Sequence, residues 1–226
     1  MFRVETGTNG RESLLMMATA SPFPGAQEFL PIRRTLPLLR VAAQACHGCD
    51  LYEKATQVVF GDGSKTARIV LVGEQPGNEE DLQGHPFVGP AGGMLDRALA
   101  DASIDRSNVY ITNVVKHFRF EERGKRRLHK KPTMAEIRAC QPWFEAEVEL
   151  LKPKVIVCLG ATAAQALLGK KFRLMQERGV VFKDPRADYL VATVHPSAIL
   201  RTPDTAARHA AYSQFVKDLI TVRGLV

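Results

Sequence analysis

Ala67-Arg-Ile-Val-Leu-Val-Gly73 is a short apolar run, rich in β-branched residues and closed by glycine. Its length and composition predict a buried strand. The stretch that follows, 74–90, holds Gly77, Gly84 and Gly89 with Pro76, Pro86 and Pro90, and reads as a long loop. Residues 91–102 then place Met94, Leu95, Ala98, Leu99 and Ala102 at helical spacing. The same unit recurs. A second strand is expected at 109–115, then a charged loop through Pro132, then a helix over 133–151 with Ile137, Cys140, Phe144, Val148 and Leu151 on one face. A third strand at 155–160 precedes a helix at 161–168. Further strands are expected at 180–182 and 189–193, and helices at 36–44 and 204–222. Strands alternating with helices imply an α/β fold with a central, mostly parallel sheet covered on both faces. In such sheets functional residues gather beyond the carboxyl ends of the strands. Three loops leave such ends, at 74–90, at 113–132 and at His195, and we expect them to converge in one cleft.

The 226 residues are 45% hydrophobic and 24% charged, enough for one full-sized core, and a single domain is expected over 26–226. Residues 1 to about 25, closed by Pro22 and Pro24, read as a flexible extension or an early start codon. The apolar segment 13–20 is short and has both charge signs upstream, so a cleaved signal is not expected. No apolar run approaches the ~20 residues that span a bilayer. A cytoplasmic monomer is the expectation. Lys and Arg number 31 against 24 Asp and Glu, a formal charge of +7. That excess points to a polyanionic partner, although many soluble proteins are mildly basic.

Cys46, Cys49, Cys140 and Cys158 are the four cysteines. In a reducing compartment a Cys-x-x-Cys pair reads as a metal or redox motif before it reads as a disulfide. One pair and two distant singles supply four thiolates, which suits either a zinc site or an iron–sulfur cluster. The alternative leaves Cys140 and Cys158 as small buried residues.

Gly73-Glu-Gln-Pro-Gly77 leaves the first strand directly, yet it carries neither a P-loop nor a dinucleotide fingerprint. A Glu and a Gln at a strand exit suit hydrogen bonding or acid–base work better than anion binding. That segment, the following Gly84-His-Pro-Phe-Val-Gly-Pro-Ala-Gly92, Thr112-Asn113 and His195-Pro-Ser197 together resemble the uracil-DNA glycosylase superfamily, in its iron–sulfur family four. The resemblance runs from about residue 40 to the C-terminus. It implies a three-layer α/β/α sandwich and a [4Fe–4S] cluster held by Cys46, Cys49, Cys140 and Cys158. Gly124-Lys-Arg-Arg-Leu-His-Lys-Lys131 is similar to the basic loop of the UdgX branch, and Gln75 also fits that branch. There the loop histidine becomes joined to DNA once uracil has left. Leu128 stands where the branch usually has Ile, and Asn78 where an acidic residue is familiar.

The residues give this resemblance a chemistry. A base must be flipped from the duplex, or met in single-stranded DNA, before its glycosidic bond is attacked. Uracil-containing DNA is therefore the expected partner, with single strands preferred. Phe87 can stack on the base. The Asn113 amide offers both an acceptor and a donor, matching uracil N3–H and O4, whereas cytosine reverses that pattern. His195 can donate to uracil O2 as negative charge builds there. Gln75 and Asp81 are further candidates for substrate contact, with Asp81 alternatively bracing its loop or lying on a solvated acidic face. Lys125, Arg126, Lys130 and Lys131 are expected on DNA phosphates. By resemblance, His129 is the nucleophile that captures C1′. Glu74 orients it or takes its proton, and Arg127 holds the loop. Neutral imidazole is required, and the neighbouring cations are expected to disfavour its protonation. Two competing readings stand beside this one: a conventional glycosylase that uses water, and a non-catalytic iron–sulfur DNA-binding protein.

Overall fold

The structure, a computed structural model, describes residues 23–226. The extension expected at the start lies, up to residue 22, outside the described residues. By Gly25 the chain has joined the fold, where its N–H donates to Gly48 O at 3.0 Å.

In chain order the elements are α1 (Leu36–Ala43), β1 (Asp62–Gly63), β2 (Ile69–Gly73), α2 (Asn78–Gln83), α3 (Pro90–Asp101), β3 (Val109–Asn113), β4 (Phe120–Arg123) and β5 (Arg126–His129). There follow α4 (Met134–Leu151), β6 (Val155–Leu159), α5 (Ala161–Leu168), α6 (Leu174–Glu177), β7 (Val181–Asp184), β8 (Ala187–Thr193), α7 (Pro196–Leu200) and α8 (Thr205–Arg223). Six strands form one sheet in the order β1-β3-β2-β6-β8-β7. The four central strands are parallel, and the two edge strands run antiparallel to their neighbours.

The strand pleat divides the core in two. Val70, Val72, Tyr110, Ile156, Leu190 and Ala192 point to one face and pack with α1, α4 and α5 through Leu39, Ile137, Trp143, Phe144 and Ala164. Ile69, Leu71, Ile111, Val157, Leu159 and Val191 point to the other, against Leu95 and Leu99 of α3 and Phe215 and Leu219 of α8. This is the expected three-layer α/β/α sandwich. None of the described helices is long and apolar enough to cross a membrane.

Two segments differ from the sequence reading. The loop expected at 74–90 contains α2, which starts after Gly77 and is stopped by Gly84 in the left-handed conformation. The charged loop expected before Pro132 is a two-stranded hairpin, β4–β5, set apart from the main sheet. Arg123 pairs with Arg126, so Gly124 and Lys125 alone form the turn, and Gly124 takes the positive φ (60°) that a tight hairpin needs. Smaller differences are the added edge strand β1, and β8, which starts at Ala187 rather than residue 189. Behind the hairpin, α4 opens with a capping box. Thr133 Oγ1 accepts from Glu136 N–H, and Thr133 N–H donates back to the Glu136 carboxylate.

Candidate active site

The three strand-end loops meet as expected around a cavity of about 690 Å³, lined among others by Glu74, Gln75, Phe87, Asn113, His129 and His195. Its floor is set by the last pair of the β2–β3 ladder, Gly73 opposite Asn113. A Cβ on Gly73 would collide with Asn113 Oδ1 and press on the Phe87 ring, so only glycine leaves room for both. Phe87 itself takes a positive φ of 57°, a conformation aromatic residues rarely adopt. Asn113 Oδ1 is fully buried and accepts no hydrogen bond, the one such side-chain atom among the described residues. A buried acceptor left empty costs free energy unless a ligand supplies the donor.

His195 faces the same space, its ring centroid 5.6 Å from that of Phe87. The Ser197 backbone N–H donates to His195 Nδ1 at 3.2 Å. A backbone N–H can only donate, so Nδ1 is the acceptor and the neutral ring carries its proton on Nε2. Burial, helped by the charges of Arg201 and His129, pushes the imidazole down to about 4. At neutral pH His195 is therefore an uncharged donor at Nε2.

His129 ends β5 at the mouth of the cavity, with about half its side chain exposed. Its Nε2 lies 3.0 Å from Gln75 Nε2 and 3.6 Å from Glu74 Oε1. Gln75 is locked: its Oε1 accepts from Arg119 N–H, and its Nε2 donates to Arg119 O and Lys130 O. The amide thus ties both strands of the hairpin root to the exit of β2; its two Nε2 hydrogens are shared among three partners, and since an amide nitrogen can only donate, His129 Nε2 accepts. Burial lowers the His129 imidazole, and among the charges Arg201 lowers it while Glu74 raises it. The reason expected from sequence was different. The cations of the loop are not the groups that act here; desolvation leads and Arg201 follows.

Arg127 is the second tether of the hairpin. Its guanidinium donates to Asp81 at 2.6 Å, to Asn78 Oδ1 at 2.8 Å and to Thr56 Oγ1 at 3.1 Å, and lies over the rings of Phe118 and Phe120. Asp81 is completely buried, and its carboxylate also accepts the Thr56 N–H. Of the alternatives open for Asp81, the structure places it as a brace of the hairpin. Asn78 serves the same arginine. Glu80, next to Asp81, accepts from the N–H groups of Gly77 and Gly89. Lys125, Arg126, Lys130 and Lys131 are exposed along the hairpin and just beyond it, with Lys130 paired to Glu121 at 2.5 Å.

Sequence reading missed two groups. Arg201, on the turn after α7, lines the cavity and donates to Ser197 Oγ at 3.0 Å. Lys116 and Glu147 form a buried ion pair at 2.6 Å beneath the floor. The Lys116 ammonium also donates to Asn113 O at 3.0 Å, and Glu147 takes hydrogen bonds from Tyr110, Thr112 and Gly61 N–H. A charged residue three positions beyond a strand gave no sign of burial.

The four cysteines are buried, all in the core cluster on the face of the sheet that packs against α1 and α4. Burial pushes the Cys140 thiol up to about 12, with Lys116 opposing and the charges of Cys49 and Cys46 adding to the rise. Burial likewise raises Cys49 to about 11, with a contribution from Cys46. Those three act on one another. Trp143 Nε1 donates to Cys46 Sγ at 3.3 Å, and Lys116 N–H to Cys140 Sγ at 3.2 Å. Cys158 lies within β6 between Val72 and Ala192, and the charges that act on it are those of Arg186 and Asp184. Among the described residues no three His, Cys, Asp or Glu side chains are drawn together around one point.

The comparisons agree with this geometry. The sequence profile of the Uracil DNA glycosylase superfamily matches residues 60–220. The chain is similar to the type-4 uracil-DNA glycosylase of Thermotoga maritima, 38% identical over 173 residues that cover 76% of this chain and 86% of the relative. To the type-4 enzyme of Archaeoglobus fulgidus it is 37% identical over 166 residues, 70% of this chain and 80% of the relative. The type-5 enzyme of Thermus thermophilus is 32% identical over 158 residues, 62% and 68% of the two chains. The profile spans well over half of the chain, from the segment before β2 into α8, and so includes every strand-end loop of the cavity: the chain belongs to the uracil DNA glycosylase superfamily.

Proposed function

We propose that this chain is a DNA-repair glycosylase that excises uracil from DNA, with single strands the preferred substrate. The observation that carries the reading is the empty Asn113 Oδ1 at the floor of a cavity walled by Phe87 and His195. Uracil N3–H supplies the missing donor, and the amide N–H of the same side chain answers O4. Cytosine would set an acceptor against an acceptor there, and a site built for a hydrogen bond rejects such a mismatch strongly. Phe87 stacks on the ring. As the C1′–N1 bond breaks, its electron pair moves into the base, and the His195 Nε2–H stabilises the charge that reaches O2. Water then bonds to C1′ and gives up its proton through Glu74, leaving an abasic site. The enzymes named above support this turnover reading.

A second reading rests on a specific contact, the His129 imidazole at the cavity mouth beside Glu74 and Gln75. With its lone pair on Nε2, His129 takes the place of water. Nε2 bonds to C1′, the proton on Nδ1 is lost to solvent, and the protein stays joined to the DNA. Desolvation keeps the ring neutral for that attack. A [4Fe–4S] cluster bound by the thiol group would cross-link the Cys46–Cys49 loop to α4.

One experiment tests both. The protein is incubated with a single-stranded oligonucleotide carrying one uracil; released base is measured, and the mixture is run on a denaturing gel. Uracil release in excess of protein with no slow-migrating band supports water. A band that survives SDS and heat, and that disappears in His129→Ser, supports capture. Salt-reversible binding with no uracil release overturns the glycosylase reading itself.

A further inference from the structure

We propose that the buried Lys116–Glu147 pair is a positioning device for base recognition, which aims the Asn113 amide by holding the peptide that follows it. The inference rests on the reading of Asn113 as the group that recognises uracil, and deepens it.

Stability alone does not account for the pair. Taking two charges out of water is costly, and apolar residues of similar volume often serve a fold as well or better. The Lys116 and Glu147 side chains are 1% and 0% exposed. Every proton of the ammonium is engaged, with Glu147 Oε2 at 2.6 Å, Thr112 Oγ1 at 2.5 Å and Asn113 O at 3.0 Å. The carboxylate is as fully occupied. Its Oε1 accepts from Gly61 N–H at 3.0 Å and from the Tyr110 hydroxyl at 2.8 Å, and Thr112 Oγ1 donates to Oε2 at 2.9 Å. A fully satisfied polar network in the interior fixes one geometry where an apolar contact would allow several.

What this network fixes is the end of β3. The peptide between Asn113 and Val114 is held from both sides: its C=O accepts from Lys116, and its N–H donates to Gly73 O at 3.0 Å. Val115 N–H continues the tie to Glu74 O at 3.1 Å. The ladder rung sets how far Asn113 lies from Gly73, and the ammonium sets how the peptide is turned about that rung. Turning it would swing the Asn113 side chain, and with it Oδ1, the acceptor left open for a base. Glu147 stands on α4, so the long helix behind the sheet anchors the aim of the amide.

The test isolates that arm. Lys116→Met combined with Glu147→Gln removes both charges together at nearly constant length. The new amide still accepts from Gly61 and Tyr110 and donates to Thr112, so Asn113 O alone loses its donor. Uracil release from a single-stranded oligonucleotide is followed with protein in excess, beside a thermal melt. The double variant should melt near wild type, keep its half-saturating concentration and release uracil on the order of 10- to 100-fold more slowly. The deciding readout is the same pair of substitutions made in Asn113→Ala. Acting through Asn113, the pair should then cost nothing further. Losses that multiply instead overturn the proposal, because they travel by another route, the Lys116 N–H contact to Cys140 included. An unchanged rate in the folded double variant overturns it as well.

Should that variant not fold, Lys116→Gln with Glu147→Gln takes its place, since the shorter side chain pairs with its partner but stops short of Asn113 O. If neither folds, the pair is a stability element and the proposal falls. Wild type that releases no uracil sinks the glycosylase reading and the proposal together, whereas every other outcome leaves that reading standing.

Discussion

Gly73 and Asn113 face each other across the last rung between β2 and β3, and the side chain that glycine lacks is the space in which Asn113 Oδ1 and the edge of Phe87 lie. Two contacts to the base therefore depend on one missing carbon. Gly73→Ala should leave the sheet folded, since alanine fits a strand, but displace Asn113 or Phe87 by a fraction of an ångström or more. Misplacement of that order costs about 100-fold in rate. The check is kcat/KM for uracil release beside a thermal melt. Full activity in the folded variant would remove Asn113 from base recognition.

The pH behaviour follows from His195. An unperturbed histidine titrates near 6.5, and burial holds this one down to about 4. Between those values the unfolded chain binds a proton that the folded pocket refuses. Stability therefore rises with pH across that window and is lost as pH falls through it. Single-turnover excision should stay level as pH drops past 6.5 and fail only on approach to 4. An acidic limb centred at 6.5 that vanishes in His195→Asn would contradict the neutral-donor assignment.

Arg127 and Asp81 brace the hairpin from within. Removing one member of a buried ion pair strands the other and typically costs about 3–5 kcal/mol. For Asp81→Ala, which also abandons the Thr56 N–H, the lower part of that range is expected because the arginine keeps some exposure. Denaturant unfolding reads the stability. If His129 captures DNA, the same variant should lose cross-linking more than it loses uracil release, since Phe87, Asn113 and His195 lie outside the hairpin that Asp81 braces.

The exposed cations predict a salt response. Each phosphate contact on a single strand contributes about 0.7 to the slope of log affinity against log salt. Neutralising Lys125, Arg126 and Lys131 should flatten the slope by about 2. Lys130, already paired with Glu121, should add little. Fluorescence titration of a uracil-free oligonucleotide at several salt concentrations measures this, and an unchanged slope would place the strand elsewhere.

The fold was legible where chemistry and periodicity coincide. β2, β3 and β6 are buried on both faces, so nearly every residue is apolar and the runs stand out. The hairpin was not, because Phe120-Glu-Glu-Arg123 and Arg126-Arg-Leu-His129 bury almost nothing. Their shape comes from Gln75 and Arg127, whose partners lie about fifty residues away in the chain. α2 was hidden among glycines and prolines, and Asp81 looked like its solvated neighbours until its partner was known. The convergence of Glu74, Asn113, His129 and His195 could be read in advance because each stands at the exit of a recognisable element.

The β4–β5 ribbon is fastened at its root by Gln75 and at mid-length by Arg127, while at its turn a Cβ added to Gly124 would meet none of the described residues. It behaves as a lever clamped at one end. The free tip can follow whatever path a sugar–phosphate chain takes, and little of that movement reaches the ring at the clamped end. Lengthening the turn by a residue or two would thus be tolerated, whereas a single insertion beside the clamp would throw the imidazole out of alignment.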